Sequence, residues 1–112
     1  MASSEMYGPY ELTNEKIDLV VTRKSPGKYA LGRSPFSVLY VGRADDDLNT
    51  RLKQWVNKSK YTHFKFTYAT SPKDAFEKEC RNYHDFKPED NKVHPDRPSG
   101  TDWKCPVCNV FI

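Results

Sequence analysis

At 112 residues the chain has room for one domain and not for two, since domains cluster at ~100–150 residues. A hydrophobic content of 37% and a mean hydropathy of −0.85 make it polar, yet 13% aromatic residues are too many for a disordered chain and imply a small aromatic core. A net charge of +3 is too mild to announce a nucleic-acid partner by itself.

Residues 1–26 read as a leader that packs on the domain. Within it Thr13 caps a short helix with Ile17, Val20 and Val21 at i, i+3 and i+4; a strand over residues 18–22 fits nearly as well. Ser25-Pro26-Gly27 is turn chemistry, Tyr29-Ala30-Leu31 a short extended piece, Gly32-Arg33-Ser34-Pro35 a turn and residues 36–41 a β-rich run, so a hairpin is expected. Gly42 ends its second strand. Asp45-Asp46-Asp47 then sits where a helix N-terminus favours negative charge, and Leu48, Leu52, Trp55 and Val56 form one apolar helical face. After a polar loop at residues 57–60, residues 61–68 alternate, with Phe64, Phe66 and Tyr68 on one side, as a third strand does. Ser71 as N-cap, Pro72 at the first helical position and Asp74 behind it start a helix that should run to about Tyr83 or His84. Pro88, Pro95, Pro98 and Gly100 mark a loop-rich tail. This order predicts an α+β domain with a small three-stranded, mainly antiparallel sheet flanked by helices. Its core spans residues 27–91 and its tail residues 92–112.

The charge is unevenly spread: residues 1–22 carry a net −3, residues 23–65 a net +7 and residues 66–112 a net −1. The basic middle is the part expected to face a phosphate backbone. No apolar run approaches the ~20 residues of a membrane span, and Met1-Ala2-Ser3-Ser4-Glu5 lacks the layout of a secretory signal. An intracellular protein, cytoplasmic or nuclear, with no membrane partner is therefore expected.

Gly27-Lys28-Tyr29, ten residues, Tyr40-Val41-Gly42, an arginine at Arg51 before Leu52, then Glu79 on a later helix and Asn91 downstream form an ordered set. In that order and spacing the chain resembles the GIY-YIG nuclease superfamily over residues 27–91. It differs in having Lys28 in the first triad and one more residue than is common before the arginine. The resemblance implies a DNA endonuclease whose catalytic Mg²⁺ or Mn²⁺ is held by Glu79, with Asn91 supporting the site by hydrogen bonds.

The chemistry can also be stated from the residues. Phosphodiester hydrolysis needs a base for the attacking water, a cation for the charged phosphoryl oxygens and stabilisation of the leaving oxygen. Tyr29 or Tyr40 serves as base only if nearby cations lower a hydroxyl pKa that is ordinarily ~10. Arg43, Arg51 and a metal can supply such charge, and Arg51 offers a planar fork for phosphate. Taken singly, each is as well explained by packing, turns or a solvated helix face. Helical geometry separates two glutamates: Glu79 falls in the arc of Ala75, Tyr83, Phe76 and Cys80 that meets the sheet, while Glu77 lies beyond it. A carboxylate in that arc needs a metal, or a salt bridge to an arginine, to offset its burial.

The tail carries a second constellation. Cys80 and His84 lie four apart on one helix, and Cys105-Pro106-Val107-Cys108 is a knuckle that presents two thiolates. Together they offer four tetrahedral ligands with no open position, a structural zinc site that pins the tail; His94 can replace His84. Three functions follow: a metal-dependent DNA endonuclease, recruited by a protein partner or selective for DNA structure; a non-catalytic, zinc-stabilised module holding nucleic acid or a protein; or a small redox or metal-handling protein centred on Cys105 and Cys108.

Overall fold

A computed structural model of the chain describes residues 6–33, 37–56, 60–86, 88, 90–91, 94–95 and 100–107, the side chains of Ser37 and Asp85 excepted. Among these residues lie four strands and three helices: β1 (Tyr7–Glu11), α1 (Asn14–Val20), β2 (Gly27–Arg33), β3 (Ser37–Ala44), α2 (Leu48–Lys53), β4 (His63–Tyr68) and α3 (Pro72–Phe86). Thr13 starts α1 by accepting a hydrogen bond from the Lys16 amide at 3.1 Å, so residues 18–20 are helical rather than extended. The hairpin expected around the two tyrosine triads is β2–β3, with Tyr29 opposite Gly42 and Lys28 opposite Arg43. Residues 34–36, which hold part of its connection, lie outside the described residues.

The sheet has four strands rather than three, antiparallel throughout, in the order β1-β4-β2-β3. The extra strand comes from the leader, where Gly8 and Pro9 hide the strand pattern. An edge position tolerates the missing Pro9 amide hydrogen. A bulge between Tyr7 and Tyr10 absorbs Gly8 at φ +115°, and a Cβ there would approach the Phe64 carbonyl oxygen to 2.8 Å.

Strand alternation divides the core. Tyr29, Leu31, Phe64 and Phe66 point to the face covered by Ile17, Leu48 and Leu52 of α1 and α2. Ala30 and Val41 point to the other face, where Tyr83 and Phe86 of α3 pack. Phe76 and Cys80 of α3 meet Cys105 and Trp103, which seats the tail on the helix. No helix among the described residues is long and apolar enough to cross a membrane.

Candidate functional site

The site forms where strand β3, an edge of the sheet, is overhung from both faces. A cleft of about 200 Å³ is lined by Tyr29, Tyr40, Gly42, Arg43, Asp45, Arg51, Trp55 and Glu79. Five of the six residues expected to carry chemistry thus share one cavity. Tyr29, Tyr40 and Arg51 reach it from the α2 side of the sheet, and Arg43 and Glu79 from the α3 side.

Gly42 makes this convergence possible. The Tyr29 ring lies against the Gly42 backbone, so that a Cβ at position 42 would come within 2.5 Å of the tyrosine Cζ and hydroxyl oxygen. Tyr29 is 2% exposed, and its hydroxyl oxygen accepts a hydrogen bond from Trp55 Nε1 at 2.9 Å. Tyr40 is half-buried, with its ring centroid 5.0 Å from that of Trp55 and 6.3 Å from that of Tyr61. Burial raises both tyrosine hydroxyls. The neighbouring arginines do pull them down, Arg51 on both and Arg43 on Tyr40, but too weakly to reverse the effect of burial.

Arg43 is clamped between two carboxylates, its Nη1 2.7 Å from Glu79 Oε1 and its Nε 2.8 Å from Asp45 Oδ1, with the guanidinium 5.2 Å above the Phe76 ring. Burial works against the Arg43 charge, but the two carboxylates outweigh it and hold its pKa above the usual range. Burial pushes the Glu79 carboxyl up, and the Arg43 guanidinium offsets that only in part. Glu79 faces the sheet as the helical arc requires, and Glu77 is half-buried. Arg51 is exposed at the rim, where its fork can meet a ligand.

Asn91 does not line the cleft. Its side chain grips β3 from the outside: Oδ1 accepts from the Val41 amide at 2.8 Å and Nδ2 donates to the Val41 carbonyl at 3.0 Å. The Asp90 amide donates to the Leu39 carbonyl at 2.8 Å, and the Asp90 carboxylate accepts from the Tyr61 hydroxyl at 2.6 Å. Residues 90 and 91 therefore cover the open edge beside Tyr40. Two residues of the cleft were absent from the sequence-based set. Asp45 is signalled by its place two residues after Arg43, just past the end of β3, whereas Trp55 reads from sequence only as part of an apolar helical face.

Part of the second constellation assembles, with His94 in it. Ligand atoms of Cys80, His94 and Cys105 all lie within 4.8 Å of one another, close enough to hold one metal ion. His84 stands outside that trio, with its Nε2 3.5 Å from the Cys105 sulfur, and Cys108 lies outside the described residues. The histidine brought into the trio is thus His94 rather than His84, because the segment after α3 returns to the helix. His94 Nδ1 is 2.8 Å from the Pro95 carbonyl oxygen, which can only accept, so Nδ1 carries the proton and Nε2 keeps a metal-binding lone pair. Burial, and then neighbouring Cys105, push the Cys80 thiol up, so a bound cation is what would draw it to thiolate. Comparison with protein-family models and with curated proteins finds no match for this sequence.

Proposed function

We propose that this chain is a GIY-YIG-type endonuclease that hydrolyses DNA phosphodiester bonds and carries a structural zinc. The observation that carries the reading is the shared cleft, in which Tyr29, Tyr40, Arg43, Arg51 and Glu79 converge from four separate elements. Tyr40, the less buried tyrosine, is assigned to the attacking water, which it would orient and would deprotonate only with a bound cation to offset the burial that raises its hydroxyl pKa. Buried Tyr29 forms the wall on which Trp55 and Gly42 are set. Arg51 binds the phosphoryl oxygens. Glu79 would hold Mg²⁺ or Mn²⁺, and Asp45 places a second carboxylate in the same cleft, a hard oxygen donor set that suits such ions. When bound, the ion supplies positive charge for the developing oxyanions. Cys80, His94 and Cys105 offer the soft sulfur and imidazole set that zinc favours.

Nicking assays on branched, flapped and plain duplex DNA with Mg²⁺, Mn²⁺ or neither test this reading. Cleavage should require the metal, and Arg51→Ala and Glu79→Ala should each lower it at least ~100-fold, the usual scale for losing one group that stabilises transition-state charge. Circular dichroism should show both variants folded. Full activity in either variant refutes the assignment.

The Arg43–Glu79 ion pair favours a second reading. A carboxylate already held at 2.7 Å by a guanidinium is partly neutralised without any metal. On that reading the chain is a non-catalytic GIY-YIG-like module that holds nucleic acid or a protein. It predicts salt-sensitive DNA binding with no cleavage in any metal.

A further inference from the structure

The two constellations described above meet in one short stretch of chain. Asn91 grips the backbone of Val41, the residue between cleft residues Tyr40 and Gly42. Three residues further along, His94 reaches the cysteine pair. One of those cysteines, Cys80, directly follows Glu79 on α3. A single ion held by Cys80, His94 and Cys105 would therefore fasten both sides of the cleft: the helix that carries Glu79, and the segment that holds the β3 edge in register.

We infer that His94 is a metal ligand whose task is to position the Asn91 clamp, so that metal at the Cys80–His94–Cys105 site sets the geometry of β3 at Tyr40 and Gly42. The inference rests on the zinc reading and not on cleavage. Three observations support it. The His94 tautomer keeps its lone pair on Nε2, since Nδ1 donates to the Pro95 carbonyl at 2.8 Å. His84 has a different setting: its ring lies 5.1 Å from that of His94, with the Tyr83 ring edge-on at 5.2 Å, and it stays outside the trio. The clamp on Val41 itself is two side-chain hydrogen bonds on an edge strand, each worth only ~1 kcal/mol net in a partly solvated setting, next to the bonds that tie Asp90 to Leu39 and Tyr61. The contacts of Asp90 fix the chain on one side of Asn91, and a ligand bond at His94 would fix it on the other, which lowers the entropy that the two Asn91 bonds must offset. A ligand bond three residues away shortens the loop that must be ordered.

The Val41 amide is a direct reporter, because its hydrogen is given to Asn91 Oδ1. Hydrogen exchange followed residue by residue on the full chain, loaded with Zn²⁺ and then treated with a chelator, reads the clamp without any cleavage assay. Bound zinc is measured in the same samples. With zinc, Val41 should be protected; on chelation, and in His94→Ala, its protection should fall about tenfold or more, the factor expected for one lost hydrogen bond. Amides of β2 and β4 that pair inside the sheet should change far less. Asn91→Ala should expose Val41 to the same degree while leaving the zinc content unchanged, and His84→Ala should leave Val41 protected.

Unchanged Val41 protection in His94→Ala overturns the inference while leaving the zinc reading in place. An equal loss of protection across β2, β3 and β4 on chelation also overturns it, because the metal then supports the whole fold rather than the clamp. Absence of bound zinc in the native chain fails the zinc reading and the inference together. A chain that shows the expected exchange pattern yet never cuts DNA upholds the inference and removes only the nuclease assignment.

Discussion

Position 42 shows how one residue type decides whether the cleft exists. The Tyr29 ring fills the space that any side chain at 42 would need, and that ring has nowhere to retreat, being 2% exposed and held by the Trp55 indole. Gly42→Ala should therefore destabilise the chain by about 2 kcal/mol, with a fall in Tm of roughly 5–10 °C measured by thermal denaturation. A stability equal to that of the parent would mean that Tyr29 rotates away at no cost. At this scale the sequence was partly legible. The spacing of Tyr29, Tyr40, Arg51 and Glu79 marked residues that do meet, although the chain separates them by up to fifty positions. Of the partners of Arg43, Asp45 is signalled by its place two residues on, whereas which arginine Glu79 would meet was open, because that pairing depends on how α3 crosses β3. The histidine of the metal trio was open for the same reason. His84 shares a helix face with Cys80, whereas His94 arrives only through the return of the segment after α3.

Elements with strong local signals were read with the right type, and the one without such signals was missed. Helix α3 begins as its sequence dictates: Ser71 Oγ accepts from the Asp74 amide at 3.1 Å, while the Asp74 carboxylate accepts from the Thr70 amide at 2.9 Å. It continues to Phe86, a little past the expected end, since Phe86 packs on the apolar patch of Ala30 and Val41. Because α3 carries both Glu79 and Cys80, its start supports both candidate sites. Ser71→Ala should cost about 1 kcal/mol, read as a lower midpoint in urea with an unchanged slope. A change in slope would instead indicate that the native or unfolded state had altered in compactness. Strand β1 was overlooked because Gly8 and Pro9 break the alternation that identifies a strand. What holds it is tertiary: Tyr7 and Tyr10 stack on Phe66 and Phe64 of β4 at 5.5 and 5.7 Å between ring centroids.

Over the whole molecule, folding redistributes the charge that the sequence concentrates in its middle. Residues 23–65 carry a net +7, but much of that is buried or already paired with a carboxylate. Lys28 is 3% exposed, with its Nζ 3.1 Å from Asn82 Oδ1. Arg43 lies between two carboxylates, Lys53 meets Asp18 at 2.6 Å and Lys60 meets Asp90 at 3.1 Å. What faces outward beside the cleft is smaller: exposed Arg51 and Lys24 line an adjoining depression of about 360 Å³ together with Asp45, Asp46 and Asp47, and exposed Arg23 lies over the Tyr68 ring at 4.5 Å. A DNA backbone laid along this edge would meet two or three cations, not the whole basic segment. The logarithm of the DNA-binding constant should then fall with the logarithm of salt concentration at a slope of about −2 to −3, since each neutralised phosphate contributes ~0.9. Arg51→Ala should make the slope shallower by about one unit, because it removes one phosphate contact. Titrations by fluorescence anisotropy on a short duplex measure both quantities. A slope near −6 would show that cations away from the cleft rim, such as exposed Arg33 and the surface-paired Lys53 and Lys60, also reach the backbone, so that the contact extends well beyond this edge.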